Sequence, residues 1–177
     1  MVIKRCGLDD WETATRLYAD YMSEMSFMNP ALNRLITKTG KPISSLAAEE
    51  VETIYKEKNT EIYFIRHGGM LVGFIVLGLF PNASVEDALY IQEFCILPQF
   101  RRKGFGRAAV RLICEACRDR KLEFFILKEN PGAIDFWIKV MKRMGYTDVT
   151  CREANVRQME MCGEYCDWFC YEPPERD

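Results

Sequence analysis

The sequence predicts a mixed α+β fold in one domain spanning residues 1–177. Three patterns carry that prediction. Strand-like runs at 61–66 and 71–80 flank a glycine turn, which reads as an antiparallel hairpin. Residues 89–144 then run strand, basic glycine loop, helix, strand and helix, a βαβα unit. An amphipathic helix precedes both, and 177 residues that are 49% hydrophobic and 28% charged suit one buried core rather than disorder or a fibrous repeat.

Taken in order, residues 2–6 form a short strand candidate. Asp9 and Asp10 open a helix on which Trp11, Ala14, Leu17, Tyr18, Tyr21, Met22 and Met25 recur at helical spacing. Met28-Asn29-Pro30 breaks it, and after a polar stretch to Pro42 either Ser44 or Ser45 can cap a second helix reaching about Lys58. The hairpin follows, turning at His67-Gly68-Gly69. The run 89–97 ends at Pro98, and beyond the glycine loop Phe105, Ala109, Leu112, Ile113, Ala116 and Cys117 mark a helix. Residues 122–127 are a buried strand. Asn130-Pro131 starts a fourth helix with Ile134, Trp137, Ile138, Met141 and Met144 on one face, and Gly145 ends it. Residues 146–151 and 168–171 are terminal strand candidates, and neither a repeat nor a linker divides the chain.

Composition excludes several functions. With 24 Lys+Arg against 26 Asp+Glu the net charge is −2, so no global field draws the chain to nucleic acid. The longest apolar run, 71–80, is about half of the roughly 20 residues a membrane span needs and holds two glycines. Eight cysteines without a secretory leader at 1–5 point to the reducing cytoplasm. Cys162, Cys166 and Cys170 step by four, but no second Cys/His pair accompanies them, so no metal is expected. The single histidine, His67, sits at a hairpin turn and supports no Ser-His-Asp or Cys-His hydrolase. Glu86, Asp87, Glu160, Glu164 and Asp167 flank predicted loops and could attract a cationic amine, or could simply be solvated surface.

The chemistry-bearing segment is Arg101-Arg102-Lys103-Gly104-Phe105-Gly106. Backbone N–H groups of a glycine turn at a helix start make an anion cradle, and three cations beside it widen the site to suit a pyrophosphate. A solvated basic helix start is the plain alternative. By spacing, Gly104-x-Gly106-x-x-Ala109 with Glu129 also satisfies the dinucleotide fingerprint. Against that, residues 98–103 separate the strand from Gly104, whereas the dinucleotide turn follows its strand directly. A Walker-type loop fails for want of Gly-Lys-Ser/Thr.

These residues resemble the GNAT superfamily of N-acetyltransferases, in which an Arg/Gln-x-x-Gly-x-Gly/Ala loop follows a strand ending in a hydrophobic-x-Pro step. Here that stands as Ile96-Leu97-Pro98 and Arg101 to Gly106. The family's second motif, Asn-x-x-Ala-x-x-aromatic-Tyr before Gly-Phe/Tyr, stands as Asn130-Pro131-Gly132-Ala133-Ile134-Asp135-Phe136-Trp137 and Gly145-Tyr146. The resemblance implies a mostly antiparallel twisted sheet with one splayed parallel strand pair and about four flanking helices. It implies acetyl-CoA as co-substrate in the splay between strands 89–97 and 122–127. Backbone groups of Cys95, Ile96 and Leu97 would hold the pantetheine. The loop residues Arg101, Arg102, Lys103, Gly104, Phe105, Gly106 and Arg107 would hold the pyrophosphate, and Asn130, Ala133 and Phe136 would line the thiol end.

Acetylation of an amine needs the neutral amine, whereas an alkyl ammonium has a pKa of about 10.4, so a base or a water relay must remove a proton. Many family members use a carboxylate on the strand before the loop and a tyrosine on the last helix. Here those positions hold Gln92 and Trp137, and Glu93 is Gln92's neighbour on the opposite strand face. Glu93 is therefore the candidate base if a bulge turns it toward the cofactor; otherwise it pairs with a basic side chain. Trp137 either donates to the leaving thiolate or packs in the core. Tyr90 and Tyr165 are spare hydroxyls, and direct attack without a dedicated acid is a further route. The leading expectation is acetyl transfer to a primary amine of a small molecule or peptide. The alternative is a non-catalytic acyl-CoA-binding module. Oligomeric state stays open, with a homodimer as the candidate assembly.

Overall fold

The computed structural model describes residues 1–29, 60–78, 88–150 and 166–175. Strand β1 (Val2–Arg5) is followed by helix α1 (Trp11–Met28), then β2 (Thr60–His67), β3 (Met70–Gly78) and β4 (Leu89–Ile96). Helix α2 (Phe105–Ala116), β5 (Leu122–Leu127), α3 (Pro131–Arg143), the two-residue β6 (Thr147–Asp148) and β7 (Cys166–Glu172) complete it. The seven strands of the described residues form one sheet in the order β1-β2-β3-β4-β5-β7-β6. Every pairing is antiparallel except β4 with β5. The expected second helix at 44–58 lies outside the described residues, which hold three α-helices.

The hairpin forms where expected because Gly68 and Gly69 both take positive φ, 56° and 81°, the twist that a two-residue turn between antiparallel strands demands. β3 is buried on both faces from Val72 to Val76, which explains its unbroken apolar run. One face of the sheet packs under α2 and α3 through Ile65, Ile75, Ile91, Phe124, Trp137 and Met141. The other face packs under α1, with Ala14 and Tyr18 against Phe64, Phe74 and Val76. Two predicted details change. Ile138 is exposed and Val140 takes its place in the core, since Trp137, Val140 and Met141 form the narrower inward stripe of α3. The strand expected at 146–151 shrinks to Thr147–Asp148 at the sheet edge.

Gly73 ties β3 to β4. A Cβ there would run into the Cys95 carbonyl, and the side chains of Ile96 and Ile65 would follow at 3.1 and 3.2 Å. Only a glycine lets the two strands approach that closely.

Candidate active site

β4 and β5 are paired at Leu89–Leu122, Tyr90–Glu123 and Ile91–Phe124, and then separate. β5 is held along its full length by β7 on its other edge, so past Ile91 a gap opens between β4 and β5. The Leu97 N–H donates to the Val72 carbonyl at 3.0 Å, and the Cys95 carbonyl lies against Gly73. Alternation along the strand therefore turns the peptide groups of Phe94 and Ile96 into the gap. Of Cys95, Ile96 and Leu97, Ile96 is the one whose backbone faces it.

Aromatic rings close the α2/α3 side of the gap. Phe94 stacks on Phe136 with centroids 6.0 Å apart and meets Trp137 edge-on at 5.2 Å. Trp137 is buried and stacked on Phe124 at 4.3 Å, so its ring is part of the core. The Asn130 Oδ1 accepts from the Ala133 N–H at 3.1 Å and caps α3, which leaves its amide NH₂ as the group able to donate elsewhere.

At the end of β4 the glycine loop has the backbone of an anion cradle. Gly104 has φ +86° and Arg102, unusually for a side-chain-bearing residue, φ +60°. A Cβ at Gly104 would meet nothing within 4 Å, so the space above the turn is open. The first bond of α2 runs from Ala108 N–H to the Gly104 carbonyl at 3.1 Å, and the amides of Phe105, Gly106 and Arg107 precede it at the positive end of the helix. The side chains of Arg102, Lys103 and Arg107 are exposed around it, with the Lys103 Nζ on the Gln99 carbonyl at 2.8 Å. Gly106 serves packing: a Cβ there would stand 3.2 Å from the Phe136 ring.

Arg101 points elsewhere. Its Nε donates to the Ile96 carbonyl at 2.8 Å, and its two terminal nitrogens grip both oxygens of Glu24 on α1 at 2.5 and 2.6 Å.

On the α1 face, the ladder between β3 and β4 slips by one residue. Glu93 lies opposite Val76 and Ile91 opposite Leu77, so Gln92 is the extra residue of a bulge. Glu93 consequently joins Tyr90 and Cys95 on the α1 face. The Tyr21 hydroxyl of α1 donates a hydrogen bond to Glu93, and burial beside that carboxylate holds the phenol well above its ordinary range. Tyr90 packs edge-on against Phe125 at 5.8 Å, and burial together with Glu93 and Glu123 raises its hydroxyl strongly. Glu123 on β5 is fully buried and accepts from the Trp168 indole N–H at 2.8 Å. A cavity of about 370 Å³ lies between α1 and the end of β4, lined by Asp20, Tyr21, Glu24, Cys95 and Leu97 among others.

Tyr21, Glu24 and Glu123 did not stand out in the sequence. Tyr21 reads as one more apolar residue of the α1 stripe, whereas Glu123 carried a usable signal, a charge inside a buried strand run. Glu86, Asp87, Glu160, Cys162, Glu164 and Tyr165, and most of the loop to Pro42, lie outside the described residues. Among the described residues no group of three His, Cys, Asp or Glu side chains could hold a metal ion, and no helix is long and apolar enough to cross a membrane.

A model of the acetyltransferase (GNAT) family matches residues 16–146. The chain belongs to the GNAT acetyltransferase family. The match takes in most of α1, the gap, the glycine loop and α3. No curated protein sequence matches significantly. Solved structures share the fold at low identity. One is a chimera of the spermidine N-acetyltransferase SpeG from Vibrio cholerae with hSSAT, at 15% identity and TM-score 0.59, covering 98% of this chain and 96% of that one. Others are smu.2055 from Streptococcus mutans UA159, at 20% and 0.55 with 97% of each chain covered, and an acetyltransferase from Thermus thermophilus, at 15% and 0.56 with 96% of each covered. A GNAT sheet with one parallel pair also removes the dinucleotide reading of Gly104-x-Gly106, which needs a doubly wound parallel sheet.

Proposed function

We propose that this GNAT protein transfers an acetyl group from acetyl-CoA to a primary amine of a small molecule or peptide. The observation that carries the reading is one line of groups along β4. An anion cradle at Arg102 to Gly106 stands at its end, the peptide edge of Phe94 and the Ile96 N–H comes next, and the Glu93 carboxylate is displaced by the bulge at the far side. Pyrophosphate, pantetheine amides and an acceptor ammonium ask for those three in that order.

Acetyl-CoA supplies the activated thioester. The left-handed Arg102 and Gly104 and the open space above the turn fit its pyrophosphate, with Arg102, Lys103 and Arg107 supplying charge. The peptide groups of Phe94 and the Ile96 N–H take the role of a neighbouring strand for the pantetheine, the Ile96 carbonyl being held by Arg101, and Asn130, Ala133 and Phe136 line the thiol end. Glu93 removes the proton from the ammonium, directly or through water, and Tyr21 holds the carboxylate in place. Trp137 shapes the wall of the gap, since an indole N–H can donate a hydrogen bond but is no acid near neutral pH. Asp20 in the lining of the α1 cavity, where Glu24 is already paired with Arg101, favours a cationic acceptor. The six described cysteines are free thiols, in keeping with a cytoplasmic setting.

The test is acetyl-CoA binding by thermal shift, followed by turnover over a panel of amines. Stabilisation by acetyl-CoA and CoA with release of CoA on adding an amine supports the reading. Stabilisation without turnover of any amine leaves a non-catalytic acyl-CoA-binding module, the reading that the Gln92 and Trp137 substitutions favour.

A further inference from the structure

We propose that Arg101 is a strut rather than a phosphate ligand, held by Glu24, and that α1 thereby positions the cofactor loop and the candidate base together. The inference rests on the acetyltransferase reading above. Arg101 and Glu24 are 77 residues apart and meet fork to fork, with hydrogen bonds of 2.5 and 2.6 Å. The third contact, from Nε to the Ile96 carbonyl at 2.8 Å, fixes the guanidinium plane at the point where β4 ends. Both side chains are partly buried, and the Cys95 thiol lies beside the guanidinium. A planar cation engaged on three acceptors, with its charge balanced by a carboxylate, has little left for an incoming pyrophosphate.

Helix geometry extends the argument. Tyr21 and Glu24 are three apart on α1 and so share a face. Tyr21 grips β4 at Glu93, and Glu24 grips the chain at Arg101, just past the strand. Between those grips lie Phe94, Cys95 and Ile96, the segment whose peptide edge opens into the gap. Glu24 is therefore a positioning residue for donor binding, acting through Arg101.

The experiment is a double-mutant cycle of Glu24→Gln and Arg101→Gln, read by calorimetry with acetyl-CoA, with kcat and KM for both substrates and the melting temperature alongside. A strut predicts that each single variant weakens acetyl-CoA binding about fivefold, and that the double variant is no weaker than either one. The charge swap of Glu24→Arg with Arg101→Glu recovers part of the affinity, since a carboxylate at 101 restores the ion pair but cannot donate to the Ile96 carbonyl, and general loss of stability would not produce that rescue. If Arg101 binds phosphate directly, Glu24→Gln leaves affinity unchanged or raises it, Arg101→Gln alone loses it, and the proposal is overturned. Wild-type protein that does not bind acetyl-CoA overturns the acetyltransferase reading instead, a separate result.

Discussion

Tyr90 and Glu93 are three residues apart on one strand yet share a face of the sheet, because Gln92 is an extra residue in the ladder with β3. Strict alternation would have set Glu93 beside Ile91, under α2 and α3. The bulge sets it under α1, where the Tyr21 hydroxyl meets it.

Glu93→Gln keeps the shape and hydrogen bonding of the side chain but cannot take a proton. With Glu93 as base, kcat falls by about a hundredfold or more while acetyl-CoA affinity stays within about twofold. Tyr21→Phe removes a hydrogen bond to the charged carboxylate, so the acidic limb of the pH–rate profile moves to higher pH. Steady-state kinetics across pH with calorimetry checks both, and an unchanged kcat for Glu93→Gln excludes it as base.

Gly104→Ala places a side chain at φ +86° and into the open space above the turn. The strain costs about 1 kcal/mol of stability, and acetyl-CoA affinity falls further than that of wild type destabilised equally by urea. Arg102→Ala with Lys103→Ala lowers affinity without a stability cost, because both side chains are exposed. Equal affinity in all these variants would remove the loop from its assigned role.

Two glycines give opposite outcomes. Gly73→Ala drives a methyl group into the Cys95 carbonyl and costs about 3 kcal/mol, since backbone cannot move aside as a side-chain end can. Gly132→Ala, on the exposed first turn of α3 with Asn130 Oδ1 at 3.8 Å as its nearest neighbour, is neutral or stabilising by about 0.5 kcal/mol. Equilibrium urea denaturation separates them.

Stability falls as pH rises above about 9. Burial pushes the thiols of Cys95, Cys114 and Cys170 from 9.0 up to about 11 and that of Cys6 to about 12, so the folded chain keeps protons that the unfolded chain releases. Tyr63 and Tyr171, at about 12, add to the loss at still higher pH. The contribution is complete below pH 9 and is lost as pH climbs through 11 and 12. Melting curves in reductant from pH 7 to 11 follow it; a melting temperature flat across that range contradicts the burial of these thiols.

Much of this protein was legible in its residues. Local patterning marked the described helices and strands, the edge strand at 146–151 at too great a length, and Gly68-Gly69 marked the hairpin. Asn130-Pro131 marked the capped start of α3, and the basic glycine loop marked the left-handed turn into α2, because each depends on hydrogen bonds and torsions among near neighbours. Tertiary structure alone decided the rest. The bulge at Gln92 depends on how β4 registers on the whole of β3, and a slip of one residue reverses which face every following side chain takes. Arg101 reads as a phosphate-binding cation from its neighbours, yet a carboxylate 77 residues away engages its guanidinium. Trp137 reads as either donor or core, and stacking on Phe124 places it in the core. Local sequence determined which elements form and where the left-handed glycine turn opens α2. The partners of Glu93, Arg101 and Trp137 were settled only when the sheet and α1 packed together, because those contacts join segments that sequence spacing cannot relate.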